Sequence, residues 1–161
     1  MEHVTQLSLR HCLAAVAYRS GKVLRDVPRD FSHFALDRHD ESFRTPGQLL
    51  SHLCDLYDWA LCLAKGEYRW KDTPQGEWPD DVARFFAALE RLDVVLASDD
   101  GFKGSPERIF QGPIADSLTH IGQLALLRRA AGAPIKGENY YRAEIEAGRV
   151  GAEQATPIRE F

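Results

Sequence analysis

The sequence predicts an all-α protein, an up-and-down four-helix bundle with a short C-terminal helix and an irregular tail, in a single domain over residues 1–161. Three observations carry this prediction. Apolar residues recur at helical spacing in four long stretches. Pro- and Gly-marked breaks separate those stretches. No segment alternates with period two for long, and no Asn-Gly or Asp-Gly turn joins two β-rich runs.

The first helix is expected from about Val4 to Asp26, with Leu7, Leu9, Leu13, Val16, Ala17 and Val23 near helical spacing. Gly21 weakens its last turns. Val27 to Arg44 reads as an ordered crossing loop, because Pro28 and many charges interrupt Phe31, Phe34, Leu36 and Phe43. The second helix has the clearest signature. Thr45-Pro46-Gly47-Gln48 supplies an N-cap, a proline at the first helical position and a capping-box glutamine. Leu49, Leu53, Leu56, Ala60 and Leu63 then form one face, and Lys65-Gly66 a stop.

Glu67 to Gly76 is expected to be loop, followed by a third helix from about Pro79 to Ala97 with Val82, Phe85, Phe86, Leu89, Leu92 and Leu96 inward. Ser98 to Gln111 reads as loop again. The fourth helix is expected to open at Gly112-Pro113 and close at Ala131-Gly132-Ala133-Pro134, with proline inside the start and glycine past the end. A short fifth helix over Asn139–Ala147 precedes the tail.

Composition excludes several functions. Apolar residues make up 44% and charged residues 27%, a globular balance. A chain of 161 residues buries a core without needing a metal to hold it, so a bound metal would serve chemistry. The net charge is −4 and no basic stripe is present, which argues against nucleic-acid binding. No apolar run approaches the ~20 residues that cross a bilayer. The N-terminus lacks the order of a secretory signal, and Cys54 and Cys62 would lie about 12 Å apart on one helix, too far for a disulfide. Unpaired cysteines without a leader read as a reducing cytoplasm.

Chemistry concentrates on two helices. Asp116, His120 and Gln123 fall at i, i+4 and i+7, on one face of the fourth helix. His52 lies beside the apolar stripe of the second. In an alternating bundle these two helices run the same way, which puts His52 about 9 Å above its helix start and Asp116 and His120 about 4.5 and 10.5 Å above theirs. Two imidazoles and a carboxylate with open positions suit a single divalent ion, Zn(II), Fe(II), Ni(II) or Mn(II). Taken singly, Asp116 also fits a helix-dipole acid, and each histidine a hydrogen-bonded core residue. Gln123 reads either as a support for the ligands or as part of a solvated edge, and Tyr140 and Tyr141 either as tyrosines closing the bundle end, the favoured reading, or as residues folding over the mouth of the site. His3, His11, His33 and His39 read as surface residues, with His11 the first to consider if a fourth ligand were needed. Cys54 points away from His52 and is not a catalytic thiol.

The run Ile114-Ala115-Asp116-Ser117-Leu118-Thr119-His120-Ile121-Gly122-Gln123-Leu124, with Leu127-Arg128-Arg129 and Gly132 beyond it, resembles the last-helix motif of the DinB/YfiT-like superfamily. Thr45-Pro46-Gly47-Gln48-Leu49-Leu50-Ser51-His52-Leu53 resembles its second-helix motif, whose histidine is a metal ligand. The resemblance implies a four-helix-bundle metalloenzyme with three histidine ligands. His52 and His120 match two of them, and Asp116 stands where the third belongs. It further implies transfer or isomerisation chemistry involving a low-molecular-weight thiol, and homodimers formed through bundle helices.

Two functions follow as expectations. The first is a metal-dependent enzyme acting on a small molecule, either a thiol S-transferase or isomerase or a hydrolase, through a metal-activated thiol or water. The second is a non-catalytic ligand- or partner-binding bundle whose degenerate metal site is a buried polar triad.

Overall fold

A computed structural model describes residues 2–37, 39–40, 42–98 and 100–161. Its long helices are α1 (Glu2–Leu24), α2 (Pro46–Ala64), α3 (Trp78–Ala97) and α5 (Ala115–Ala130), with a single-turn α4 (Pro106–Ile109) before α5. No strand occurs among the described residues; one isolated bridge joins Glu138 and Glu160. None of their helices is long and apolar enough to cross a membrane.

The capping signals fold as expected at α2. Thr45 Oγ1 accepts from the Gln48 amide, and the Gln48 side chain accepts from the Thr45 amide, with Pro46 opening the helix. Leu49, Leu53, Leu56 and Ala60 are buried, as are Phe85, Phe86, Leu89, Leu92 and Leu96 of α3. Each such leucine or phenylalanine contributes about 1.5–3 kcal/mol by leaving water. In α1, Leu9 and Leu13 join this core while Leu7 is 56% exposed. Two residues along a helix turn a side chain by about 200°, so Leu7 and Leu9 cannot share a face.

The helix directions depart from alternation. Cys54 bonds to the Asp81 carbonyl, Asp58 reaches Arg91 further along, and Tyr57 packs on Phe85, so α2 and α3 run parallel. Arg10 pairs with Asp93 and Trp78 with the Leu24 carbonyl, which makes α1 and α3 antiparallel. Tyr57 bonds to Ser117 while His52 meets His120, so α2 and α5 are antiparallel. The expectation that the two site helices point the same way is therefore corrected. The reason lies in the segment between α2 and α3. Residues 65–77 can reach about 43 Å when extended, enough to travel back along the roughly 28 Å of α2. Asp55 and Ser51 hold it through Thr73, and Asp81 through Gly76.

Two further boundaries move. Helical structure begins at Pro106, not Gly112, because Ser105 caps it by accepting from the Arg108 amide. Between α4 and α5, Phe110–Ile114 forms a π-helical turn around Pro113. Proline lacks the amide an α-turn needs, and widening the turn accommodates it. The expected fifth helix over Asn139–Ala147 is only a 3-10 turn, Tyr140–Arg142. A nine-residue helix alone is marginal. Individual side chains decide the path instead: Glu138 is buried against Tyr18 and Lys22, and Val150 sinks into the core. The tail continues along α1, where Gln154 Cγ lies 3.4 Å from the place a Cβ on Gly21 would occupy. That is ordinary van der Waals contact, so Gly21 simply lies within α1 and does not end the helix.

Arg128 closes the far end. It is 6% exposed and donates to the carbonyls of Val23, Arg25 and Asp26, and to Ala133. The carbonyls of Val23, Arg25 and Asp26 lie at and past the end of α1, where the helix itself leaves carbonyls without a partner.

Candidate functional site

His52 extends from the first half of α2, and Asp116 and His120 from successive turns of α5. One ligand atom from each lies within 4.8 Å of the other two. His120 Nε2 is 3.5 Å from Asp116 Oδ1, and His52 Nε2 is 3.9 Å from Asp116 Oδ2. The two imidazoles stand edge to face, centroids 4.9 Å apart. Donors around an ion with bonds of about 2.0–2.2 Å lie roughly 3.0–3.5 Å from each other. Side-chain movements of about 1 Å close that difference.

The protonation pattern suits ligation. Gln123 Oε1 lies 2.8 Å from His120 Nδ1. An amide oxygen only accepts, so Nδ1 carries the hydrogen, and in the neutral ring the lone pair is then on Nε2, the nitrogen that faces Asp116. Burial pushes the His52 pKa below its ordinary value, and the positive charge of Arg44 adds to that; Asp116 and Asp55 oppose it. A neutral imidazole is the form that binds a metal. Asp116, with its side chain 46% exposed, leaves the group open to solvent on one side.

Beside the histidines lies a cleft of 550 Å³. Leu49 and Leu127 form its floor, Leu36, Phe43 and Leu126 its apolar rim, and Arg44 its cation. On another side of His52, Trp70 leans on the imidazole at 5.7 Å and on Trp59 at 5.7 Å. A second cleft of 680 Å³ lies past Trp70, where Arg84 pairs with Asp55 and Asp58, and Arg69 and Lys71 add two more cations to the lining.

Of the residues expected at the site, His52, Asp116, His120 and Gln123 are brought together. Tyr140 and Tyr141 are not: Tyr140 packs on Tyr18 and beneath Arg19 of α1, and Tyr141 is 97% exposed. His11 is exposed on α1 and outside the cluster. Cys54 is buried, donates to the Asp81 carbonyl, and has its thiol pKa pushed up to about 12 by desolvation, which leaves it inert. Missing from the sequence reading were Arg44, Phe43, Leu36 and Trp70. Arg44 had a signal, since it immediately precedes the Thr45 cap of the helix that carries His52. The others come from loops whose path no local pattern specifies.

The fold and site thus define an all-helical protein with an imidazole–carboxylate–imidazole cluster opening on an apolar cleft. Compared with family models, curated proteins and solved structures, the chain finds no match in any of the three.

Proposed function

We propose that this chain is a divalent-metal-dependent enzyme acting on a small molecule, built on a four-helix bundle of the DinB/YfiT-like kind. The observation that carries the reading is the convergence of His52, Asp116 and His120 within 4.8 Å from two antiparallel helices. The set is two imidazoles, that of His52 held toward its neutral form by burial, and an acid, with Gln123 beside the His120 ring. Those donors suit Zn(II) and Fe(II), and equally Ni(II) or Mn(II). Bound there, the ion lowers the pKa of a coordinated thiol or water and so makes a nucleophile near neutral pH.

The chain's own groups do the remaining work. His52, Asp116 and His120 hold the ion and leave positions open toward the cleft. Leu49 and Leu127 exclude water from its floor, and Arg44 offers a charge to the substrate. The resemblance in the α2 and α5 sequences favours S-transfer or isomerisation with a low-molecular-weight thiol over hydrolysis. It also favours a homodimer formed through bundle helices.

A second reading, a non-catalytic ligand- or partner-binding bundle, draws on the 3.5 Å ion-pair separation of His120 and Asp116. Metal analysis of protein purified without a histidine tag separates the two. The enzyme reading expects about one equivalent of metal after loading with Zn, Ni or Mn, and its loss in His120→Ala. Less than about a tenth of an equivalent, with unchanged behaviour in chelator, favours the polar triad.

A further inference from the structure

The cleft beside His52 and His120 combines a large apolar surface with one kind of charge. Leu36, Phe43 and Leu126, at its rim, are 47%, 50% and 59% exposed. Three large apolar side chains open to water around one concavity mark surface that a ligand covers. Among its described lining residues Arg44 is the one lysine or arginine, and none is a carboxylate.

Arg44 is also uncommitted. Arg10, Arg84 and Arg128 are each engaged by carboxylates or carbonyls, whereas Arg44 makes no ion pair or hydrogen bond among the described residues. The first turn of α2, which follows it directly, holds no acid to neutralise it. Arg44 lines the same cleft as His52 and His120, so its charge faces the site. In a chain of net charge −4 this cation belongs to no general basic field. A free guanidinium at the edge of an apolar cleft matches a carboxylate, which it grips with two parallel hydrogen bonds.

We propose that the cleft binds a small amphiphilic carboxylate, its apolar body on Leu36, Phe43 and Leu126 and its charged head on Arg44. The inference deepens the enzyme reading and rests on it only for the reactive end of the ligand, which faces His52 and His120. The apolar wall takes the body of the ligand, and Arg44 selects for the negative head. A neutral ligand of the same shape keeps the wall contacts and loses the head.

The test is calorimetric binding of octanoate and octanamide to the full chain, both metal-free and zinc-loaded, at physiological salt so that nonspecific charge effects are screened. Metal-free wild type is expected to bind octanoate about tenfold more tightly than octanamide. Arg44→Gln is expected to bring the two within about twofold while leaving octanamide binding unchanged, and Phe43→Ser to weaken both. Equal affinity of metal-free wild type for the two probes, no binding of either, or a preference that survives Arg44→Gln overturns the proposal. Zinc binding without a carboxylate preference defeats this inference alone. A preference without zinc binding defeats the metal reading and leaves the carboxylate site standing.

Discussion

His120 Nδ1 lies 2.8 Å from Gln123 Oε1, one helical turn further along α5, and this contact decides which nitrogen of the imidazole is free. Partners of this kind typically matter 10–100-fold in metal affinity, because they set the tautomer and hold the ring. Gln123→Ala is therefore expected to weaken zinc binding by about tenfold or more in a competitive chelator titration. The side chain is exposed, so the melting temperature of the metal-free protein should barely move. Unchanged zinc affinity in this variant removes Gln123 from the site.

Much of this site is legible in the sequence, though partly through a faulty argument. The spacing of Asp116, His120 and Gln123 specifies a shared face whatever the rest of the chain does, because it depends only on helical period. The meeting with His52 was expected from parallel helices of matching height. The helices are antiparallel, and the meeting survives because both residues lie near the middle of the shared contact: Tyr57–Ser117 lies on one side of it and the Leu49–Leu127 floor on the other. Helix direction was illegible because it depends on how far the 65–77 segment travels, and a chain's reach does not reveal its route. The same limit explains Tyr140. Its expected position assumed a helix, and the buried pair of Lys22 and Glu138 took the chain elsewhere.

The hydroxyls of Tyr57 and Ser117 position α5 against α2 and make unequal demands. Ser117 Oγ donates to the Ile114 carbonyl at 2.8 Å, so the Tyr57 hydroxyl is the donor in the 2.7 Å bond between them. Tyr57→Phe deletes that donor and keeps the ring packed on Phe85, at a cost of about 0.5–1.5 kcal/mol. Ser117→Ala instead leaves a fully buried hydroxyl without a partner, at about 1–3 kcal/mol. Urea denaturation of both variants should rank Ser117→Ala as the more damaging. The reverse ranking shows that the hydrogen bond runs the other way.

Arg128 binds α5 to the end of α1 through carbonyls, with no carboxylate hydrogen-bonded to it among the described residues. Burial accordingly depresses its pKa, yet guanidinium retains its charge. Arg128→Met keeps the volume and strips the donors, leaving several carbonyls unanswered, and should cost about 3 kcal/mol. Arg128→Lys should recover little of this, since a single ammonium cannot span carbonyls that a planar fork reaches together. Denaturation midpoints at constant m-value report both numbers. Full recovery by lysine would mean that charge, not fork geometry, caps α1.

Acid should destabilise the metal-free protein through His52, and the sign follows from its depressed pKa. In the unfolded chain the imidazole titrates near 6.5; in the fold, burial and Arg44 keep it neutral to lower pH. Below about 6.5 the unfolded state thus holds more protons than the native state, and stability falls as pH drops toward the native pKa. His52→Gln removes this contribution and should flatten the stability profile between about pH 7.5 and 5 relative to wild type. Arg44→Gln takes away one of the two main causes of the shift and should flatten it in part. Parallel profiles for wild type and His52→Gln in chelator would place the acid sensitivity in another group and show that the fold tolerates His52 charged as readily as neutral.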